Sequence, residues 1–289
     1  IAITFLLLIT FGMIGCGKNQ VLKKENVNET NQEQATENKE TAEEQQENTN
    51  NDTEEQSQSQ IDYINIAPEE VKIPILMYHS ISDEDPSNNL LVPPAMFEEQ
   101  MAWLEANNFT AMNMDEALEA MRTGKVPKRP VVITFDDGYA NNYTSAFPSL
   151  KNHKLKATFF VITDGVDNGY YMSSDNLKEM QDAGMSIENH TANHLELNNL
   201  SKTDAYESIK RAQDYLRNVI GSDGNYLCYP VGKYNDETIQ IEEELGIKAA
   251  VTTQGGFASI NDGLHTLKRV RISPMSIEGF ASIFSEYIN

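Results

Sequence analysis

The chain predicts an α/β protein: an irregular (β/α) barrel with its site at the C-terminal ends of the strands, preceded by a disordered N-terminal tail. Three observations carry this. Short runs rich in β-branched and aromatic residues alternate with stretches of helical period throughout residues 61–289, the pattern of a largely parallel sheet wrapped by helices. Two of these runs end in residues suited to chemistry. Val131 to Phe135 stops at Asp136-Asp137-Gly138, and Met185 to Glu188 leads into His190 and His194. Candidate residues drawn from several strand ends describe the mouth of a barrel.

The tail comes first. Residues 1–11 are apolar and end in Gly12-Met13-Ile14-Gly15-Cys16-Gly17. A bilayer-spanning helix needs roughly 20 apolar residues, so this run reads as the core of a secretory signal. Met13-Ile14-Gly15-Cys16 resembles a bacterial lipobox, which makes residues 1–16 a signal peptide and Cys16 the lipidated residue. The alternative is an ordinary signal peptide that happens to contain a cysteine. Two acyl chains on Cys16 give stable anchoring where one is marginal. Residues 17–60 carry eleven acidic residues against four lysines and few apolar side chains. Such a segment cannot bury enough apolar surface to offset its ordering entropy, so a disordered acidic linker is expected. Its ends would lie about 35–40 Å apart by square-root scaling. The expected location is exported, lipid-anchored to the outer face of the cytoplasmic membrane of a bacterium. Beyond Cys16 only Cys228 remains, so no disulfide within the domain is expected.

Residues 61–289 suffice for one domain with a large core. Residues 71–78 read as a strand ending at His79. Residues 94–107 read as a helix, with Phe97, Met101 and Leu104 on one face and Trp103 beside them. A second helix spans residues 115–122 and stops at Gly124. After the Asp136-Asp137 strand come a helical stretch over residues 143–153, blurred by Pro148, and a strand over residues 156–163. Residues 175–183 form a helix closed by Gly184, before the strand that leads to His190. Ser201 with Asp204 makes a capping box for a helix through Val219. Strands over residues 226–229, 248–253 and 267–272 alternate with helices over residues 236–245 and 276–287. No internal repeat is present.

Lys and Arg number 22 against 44 Asp and Glu, a net charge of −22. No basic stripe offsets this, which argues against nucleic-acid binding. A monomer is expected.

Two adjacent aspartates in mid-strand would put one charge in an apolar layer, whereas at a strand end with Gly138 free to turn both can address one cavity. Histidines four apart at another strand end can face one metal. Two histidines and one carboxylate leave a coordination position open, the catalytic form of a zinc site, and the second carboxylate is then free to act as a base.

Thr134-Phe135-Asp136-Asp137-Gly138, His190-Thr191-Ala192-Asn193-His194 and Tyr229-Pro230-Val231-Gly232 resemble the first three motifs of the polysaccharide deacetylases, carbohydrate esterase family 4, the NodB homology domain. Ile75 to Ile81 and Ala157 to Val161 resemble the secreted poly-N-acetylglucosamine deacetylases. The resemblance covers roughly residue 73 to the C-terminus, with core homology from about residue 129. It implies the same barrel and a metal-dependent hydrolase that removes N-acetyl groups from a hexosamine polysaccharide, peptidoglycan or poly-N-acetylglucosamine. By this resemblance Asp137, His190 and His194 bind a divalent metal, zinc, and Asp136 is the base. The Val231 N–H completes the oxyanion site, flanked by Pro230 and Tyr229.

Two departures stand out. Cys228 occupies the place where the family's third motif often has an Arg paired with the catalytic Asp. Arg269 and Arg271, on one face of the last strand, are candidates to replace it, against their being exposed surface cations. The family's C-terminal Leu-x-His is also missing. In the subgroup the general-acid histidine comes from the N-terminal strand, which His79 fits; His265, in a Gly- and Asp-rich loop, is the second candidate. The family's fourth motif, with its Trp, has no counterpart, and Trp103 is the sole tryptophan. Two other readings stay open: a non-catalytic glycan-binding surface lipoprotein, and a polysaccharide O-acetyl esterase.

Overall fold

The computed structural model describes residues 61–288. The signal peptide, Cys16 and the acidic linker lie outside the described residues. The chain starts with β1 (Tyr63–Asn65), β2 (Ile75–Tyr78), α1 (Pro94–Ala106), β3 (Thr110–Met112) and α2 (Met114–Thr123). It continues with β4 (Lys125–Pro127), β5 (Pro130–Phe135), α3 (Phe147–Asn152), β6 (Thr158–Val161), α4 (Ser174–Asp182) and β7 (Ser186–Asn189). The last part holds α5 (Lys202–Ile220), β8 (Tyr226–Cys228), α6 (Asp236–Leu245), β9 (Ala249–Gly255), β10 (Leu267–Arg271), α7 (Ile277–Ile283) and α8 (Ser285–Ile288).

The strands follow the order β2-β10-β9-β8-β7-β6-β5, and β5 pairs back onto β2, so seven parallel strands close a ring. The expected irregular barrel is therefore the observed one. Its irregularity is visible in the pairing: β7 and β8 share a single register pair, Asn189↔Leu227. β3 joins the N-terminal half of β5, while β2 takes its C-terminal half. β1 and β4 form a separate antiparallel pair.

Parallel strands covered on both faces are apolar on both, which is why Pro130-Val131-Val132-Ile133-Thr134-Phe135 is buried throughout. The period of two sorts these residues between layers. Val132 packs with Ile75, Phe160, Tyr226, Cys228, Val251 and Leu267 inside the ring. Ile133 and Phe135 pack with Leu76, Tyr78, Phe159 and Ile187 in the layer under the helices.

Two expectations need correction. The stretch over residues 143–153 opens with a π-turn, Asn142–Ala146, in which Phe147 N–H bonds the Asn142 carbonyl. Pro148, in the first turn of α3, has no N–H to offer the ordinary helical bond. The last helix is two. Phe284 breaks it at φ −101° to insert its ring among Trp103, Phe109 and Phe280, at centroid distances of 5.4, 4.7 and 5.2 Å. β1, β3 and β4 went unread because three residues hold no periodicity and Pro127 suits only an edge. Among the described residues no helix is long and apolar enough to cross a membrane.

Candidate active site

The strand alternation that fills the barrel with apolar side chains also decides what reaches its mouth. Val132 and Thr134 point inward, so Asp136 does too; Tyr226 and Cys228, Glu188 and His190, and Leu267 and Arg269 follow the same rule on their own strands. The inward residues become polar at the C-terminal ends, where they line a cleft of about 210 Å³ holding His79, Asp136, Asp137, His190 and His194 together with Tyr229 and Val231.

Asp136 is 3% exposed and lies against Arg269, which is fully buried. The guanidinium grips the carboxylate with two parallel bonds, Nη1 to Oδ1 and Nη2 to Oδ2, both 2.7 Å. Nε of Arg269 donates to the Thr252 carbonyl at 2.9 Å and Nη1 also reaches Thr134 Oγ1 at 3.0 Å. Burial alone raises the carboxyl pKa of Asp136, but the Arg269 charge more than offsets it and holds the group well below the usual carboxylate range. Of the two candidate arginines, Arg269 is thus the carboxylate's partner. Arg271 is not: one inward step further along β10 it is exposed and lines the open cleft. Arg269 Nη2 also touches Cys228 Sγ at 3.3 Å. The guanidinium therefore reaches, from β10, the spot beside the small thiol of β8.

Asp137 turns out of the strand in a left-handed conformation, φ 74°. Gly138 follows at φ 82°, where a Cβ would meet Val161 Cγ1 at 2.8 Å, so the turn tolerates glycine only. This reversal lets neighbouring carboxylates serve one cavity. Asp137 Oδ1 lies 3.3 Å from His190 Nε2 and 3.4 Å from His194 Nε2. His190 Nδ1 donates to the Cys228 carbonyl at 2.7 Å, which holds a proton on Nδ1 and leaves Nε2 facing Asp137. His194 is placed by its own left-handed backbone, φ 55°, and by Thr191, whose Oγ1 accepts the His194 N–H at 3.0 Å.

Donor atoms from Asp137, His190 and His194 all lie within 4.8 Å of one another, with side chains buried or half-buried. One carboxylate oxygen and two imidazole nitrogens, one ring held from behind through Nδ1, suit a divalent metal with an open position. The residues fit the group.

Val231 sits on a short turn, Pro230–Gly232, at φ 48°, ψ 19°. A β-branched residue there is strained, and such strain persists only where surrounding structure enforces it. Gly232 gives the enforcement: at φ 71°, a Cβ would come 2.1 Å from Thr253 Oγ1. Among the described residues the Val231 N–H finds no acceptor, and its side chain is 53% exposed at the cleft. Below it Tyr229 is buried, stacked on Tyr234 at 4.6 Å, its hydroxyl donating to the His265 carbonyl at 2.8 Å. Among the described residues, Asp137, Thr191, His194 and Val231 are four of the seven non-glycine residues with positive φ. Backbone strain concentrates at this mouth.

His79 directly follows β2 and faces Asp136, Nε2 to Oδ2 3.8 Å. Burial lowers its pKa despite the nearby carboxylates. Asn142, unread in the sequence, secures it by donating from Nδ2 to the His79 carbonyl at 2.7 Å. His265 lies elsewhere, with Nδ1 on Glu242 Oε2 at 2.6 Å. Trp103 belongs to the aromatic cluster under α7, outside the cleft.

A barrel whose mouth gathers a base-like aspartate, a three-residue donor set and a free backbone N–H defines a hydrolase of acyl groups. The comparisons name the family. The profile described as Polysaccharide deacetylase matches residues 123–250. YxkH of Bacillus subtilis, named for the same family, is 40% identical over 218 residues, covering 75% of this chain and 76% of that protein. The poly-beta-1,6-N-acetyl-D-glucosamine N-deacetylase of Staphylococcus epidermidis is 27% identical over 230 residues, 70% of this chain and 80% of its own. The Streptococcus pyogenes deacetylase PplD, solved in complex with acetate, superposes with a TM-score of 0.72 at 36% identity, covering 74% of this chain and 99% of PplD. The chain belongs to the polysaccharide deacetylase family, a family of hydrolases.

Proposed function

We propose that the protein is a metal-dependent de-N-acetylase of a hexosamine polysaccharide at the bacterial cell surface. The observation that carries this reading is the paired carboxylates: Asp136 locked on Arg269, and Asp137 facing two histidine nitrogens, in one cleft. Zinc held by Asp137, His190 and His194 would supply a positive charge that lowers the pKa of a bound water to about 7. Asp136, kept ionised by Arg269, takes the proton of the attacking water. The Val231 N–H meets the oxyanion as the carbonyl carbon becomes tetrahedral, a role independent of its side chain. His79, whose Nε2 lies 3.8 Å from Asp136 Oδ2, gives a proton to the departing amine, and the proton that Asp136 takes from the water replaces it. The lipobox at Cys16 and the acidic linker support export, lipid anchoring and reach toward the wall; labelling with a radioactive fatty acid, lost in Cys16→Ser, tests the anchor.

The function is tested by incubating the zinc-loaded full chain with peptidoglycan, poly-N-acetylglucosamine and chitin oligomers, assaying acetate and free amine. Equal release of both is expected. Acetate without amine makes the protein an O-acetyl esterase, and binding without acetate makes it a glycan-binding lipoprotein.

A further inference from the structure

Among the described residues six large apolar residues are exposed, and three of them are Val231 at 53%, which lines the cleft, Leu195 at 49%, which follows His194, and Tyr170 at 65%. Leu195 and Val231 belong to loops already placed by His194 and the strained turn. Tyr170 does not, and nothing in the chemistry above uses it. Its ring nonetheless sits at the end of a continuous aromatic surface that begins beside Asp137. The Tyr139 hydroxyl lies against the Asp137 carboxylate. The Tyr139 ring stacks on Tyr171, centroids 5.6 Å apart and planes 20° apart. Tyr170 stands edge-on to both, at 5.4 and 5.1 Å.

The loop is held in place. Asn168 Oδ1 accepts the N–H groups of Tyr170 at 2.9 Å and Tyr171 at 3.2 Å. The Tyr170 carbonyl accepts the Ala140 N–H at 3.0 Å, and Met172 N–H donates to the Gly138 carbonyl at 2.9 Å, stitching the loop onto the turn that carries Asp137. A rigid exposed aromatic has little entropy left to lose on binding, and its ring and hydroxyl suit a partner that is apolar on one face and polar at its rim. A gluco-configured pyranose is such a partner: its equatorial hydroxyls leave both faces lined by axial C–H bonds. Charge points the same way. A chain of net charge −22 repels anionic lipid and nucleic acid but not a neutral N-acetylated glycan.

We propose that Tyr170, backed by Tyr139 and Tyr171, is the stacking subsite for the sugar ring next to the one whose acetamide enters the cleft. The protein thereby prefers a polymer to a monomer. This rests on the deacetylase reading of the same site, and the test separates the two. Affinities of the full chain and of Tyr170→Ala are measured for N-acetylglucosamine and for its β-1,4- and β-1,6-linked pentamers, and amine release is followed in parallel. A pentamer should bind Tyr170→Ala about tenfold more weakly, as expected for one lost aromatic contact, with a much smaller loss for the monomer. Tyr170→Trp should bind it within about twofold of the unmodified chain, since a larger ring keeps the stacking face. Equal affinity of the unmodified chain and Tyr170→Ala for both pentamers, the same factor lost on monomer and pentamer, or no pentamer binding at all overturns the subsite. Pentamer binding sensitive to Tyr170 without amine release keeps the subsite and removes the deacetylase reading.

Discussion

At the scale of single residues, the proposed chemistry divides labour between two neighbouring carboxylates, and their environments differ enough to test it. Asp136→Asn keeps the shape and one of the two Arg269 bonds but cannot take a proton. It should retain bound metal while losing nearly all turnover, whereas Asp137→Ala should lose both, as read by metal analysis beside the amine assay. Turnover surviving in Asp136→Asn would reverse the assignment. Arg269→Leu leaves a buried carboxylate without its partner, at a cost of about 3–5 kcal/mol, so a large drop in melting temperature is expected. Arg269→Lys should not restore activity, since one ammonium cannot reproduce the two parallel bonds. His79→Ala should lower amide turnover by about 10²–10⁴-fold with metal content unchanged. The loss should be far smaller on an aryl acetate, whose leaving group needs no proton; equal losses would make His79 a structural residue.

At the scale of elements, β7 carries a buried charge problem beneath the site. Glu188 points into the barrel one layer below His190 and accepts from Ser186 Oγ at 2.9 Å and from Tyr226 N–H at 3.1 Å. Burial pushes its carboxyl up to about 7 from 4.5, and those two bonds only partly oppose it. The sign follows from linkage. Between pH 4.5 and 7 the unfolded chain has released this proton while the folded one keeps it, so stability falls as pH rises through that window and then levels off. The loss is on the order of 3 kcal/mol for such a shift. Glu188→Gln preserves both hydrogen bonds and removes the titration. Denaturant midpoints at pH 5 and pH 8 should diverge less in the variant than in the unmodified protein; parallel declines would show Glu188 ionises freely. The neighbouring turn is equally exacting. Gly138→Ala forces a Cβ onto Val161 and a side chain into φ 82°, so both melting temperature and metal affinity should fall together.

At the scale of the molecule, seven short strands converge on one mouth, and a metal held by Asp137, His190 and His194 would tie the end of β5 to the loop after β7. Chelation should therefore abolish amine release and lower the melting temperature, with zinc restoring both. Deleting residues 17–60 should leave the melting temperature and turnover of soluble oligomers unchanged while reducing release from intact cell wall. A lowered melting temperature would show that this segment contributes to the fold.

The sequence by itself determined the barrel, the order of its major elements and four of the residues that meet in the cleft. Each of these is local: branched residues alternate with helical stretches, and Asp136-Asp137-Gly138 and His190 to His194 keep their spacing wherever the chain goes. Only the tertiary structure decided the rest. Arg269 and Arg271 read alike as cations two apart on one strand, and barrel closure alone buries the first against Asp136 and leaves the second at the rim. His79 lies far upstream of Asp136, so their approach to 3.8 Å depends on β2 pairing with β5. Tyr170 reads as an ordinary loop residue until the turn at Gly138 brings its loop back against Tyr139. Pairing across distant segments is set by ring closure and packing, which leave no periodic trace in the residues that meet.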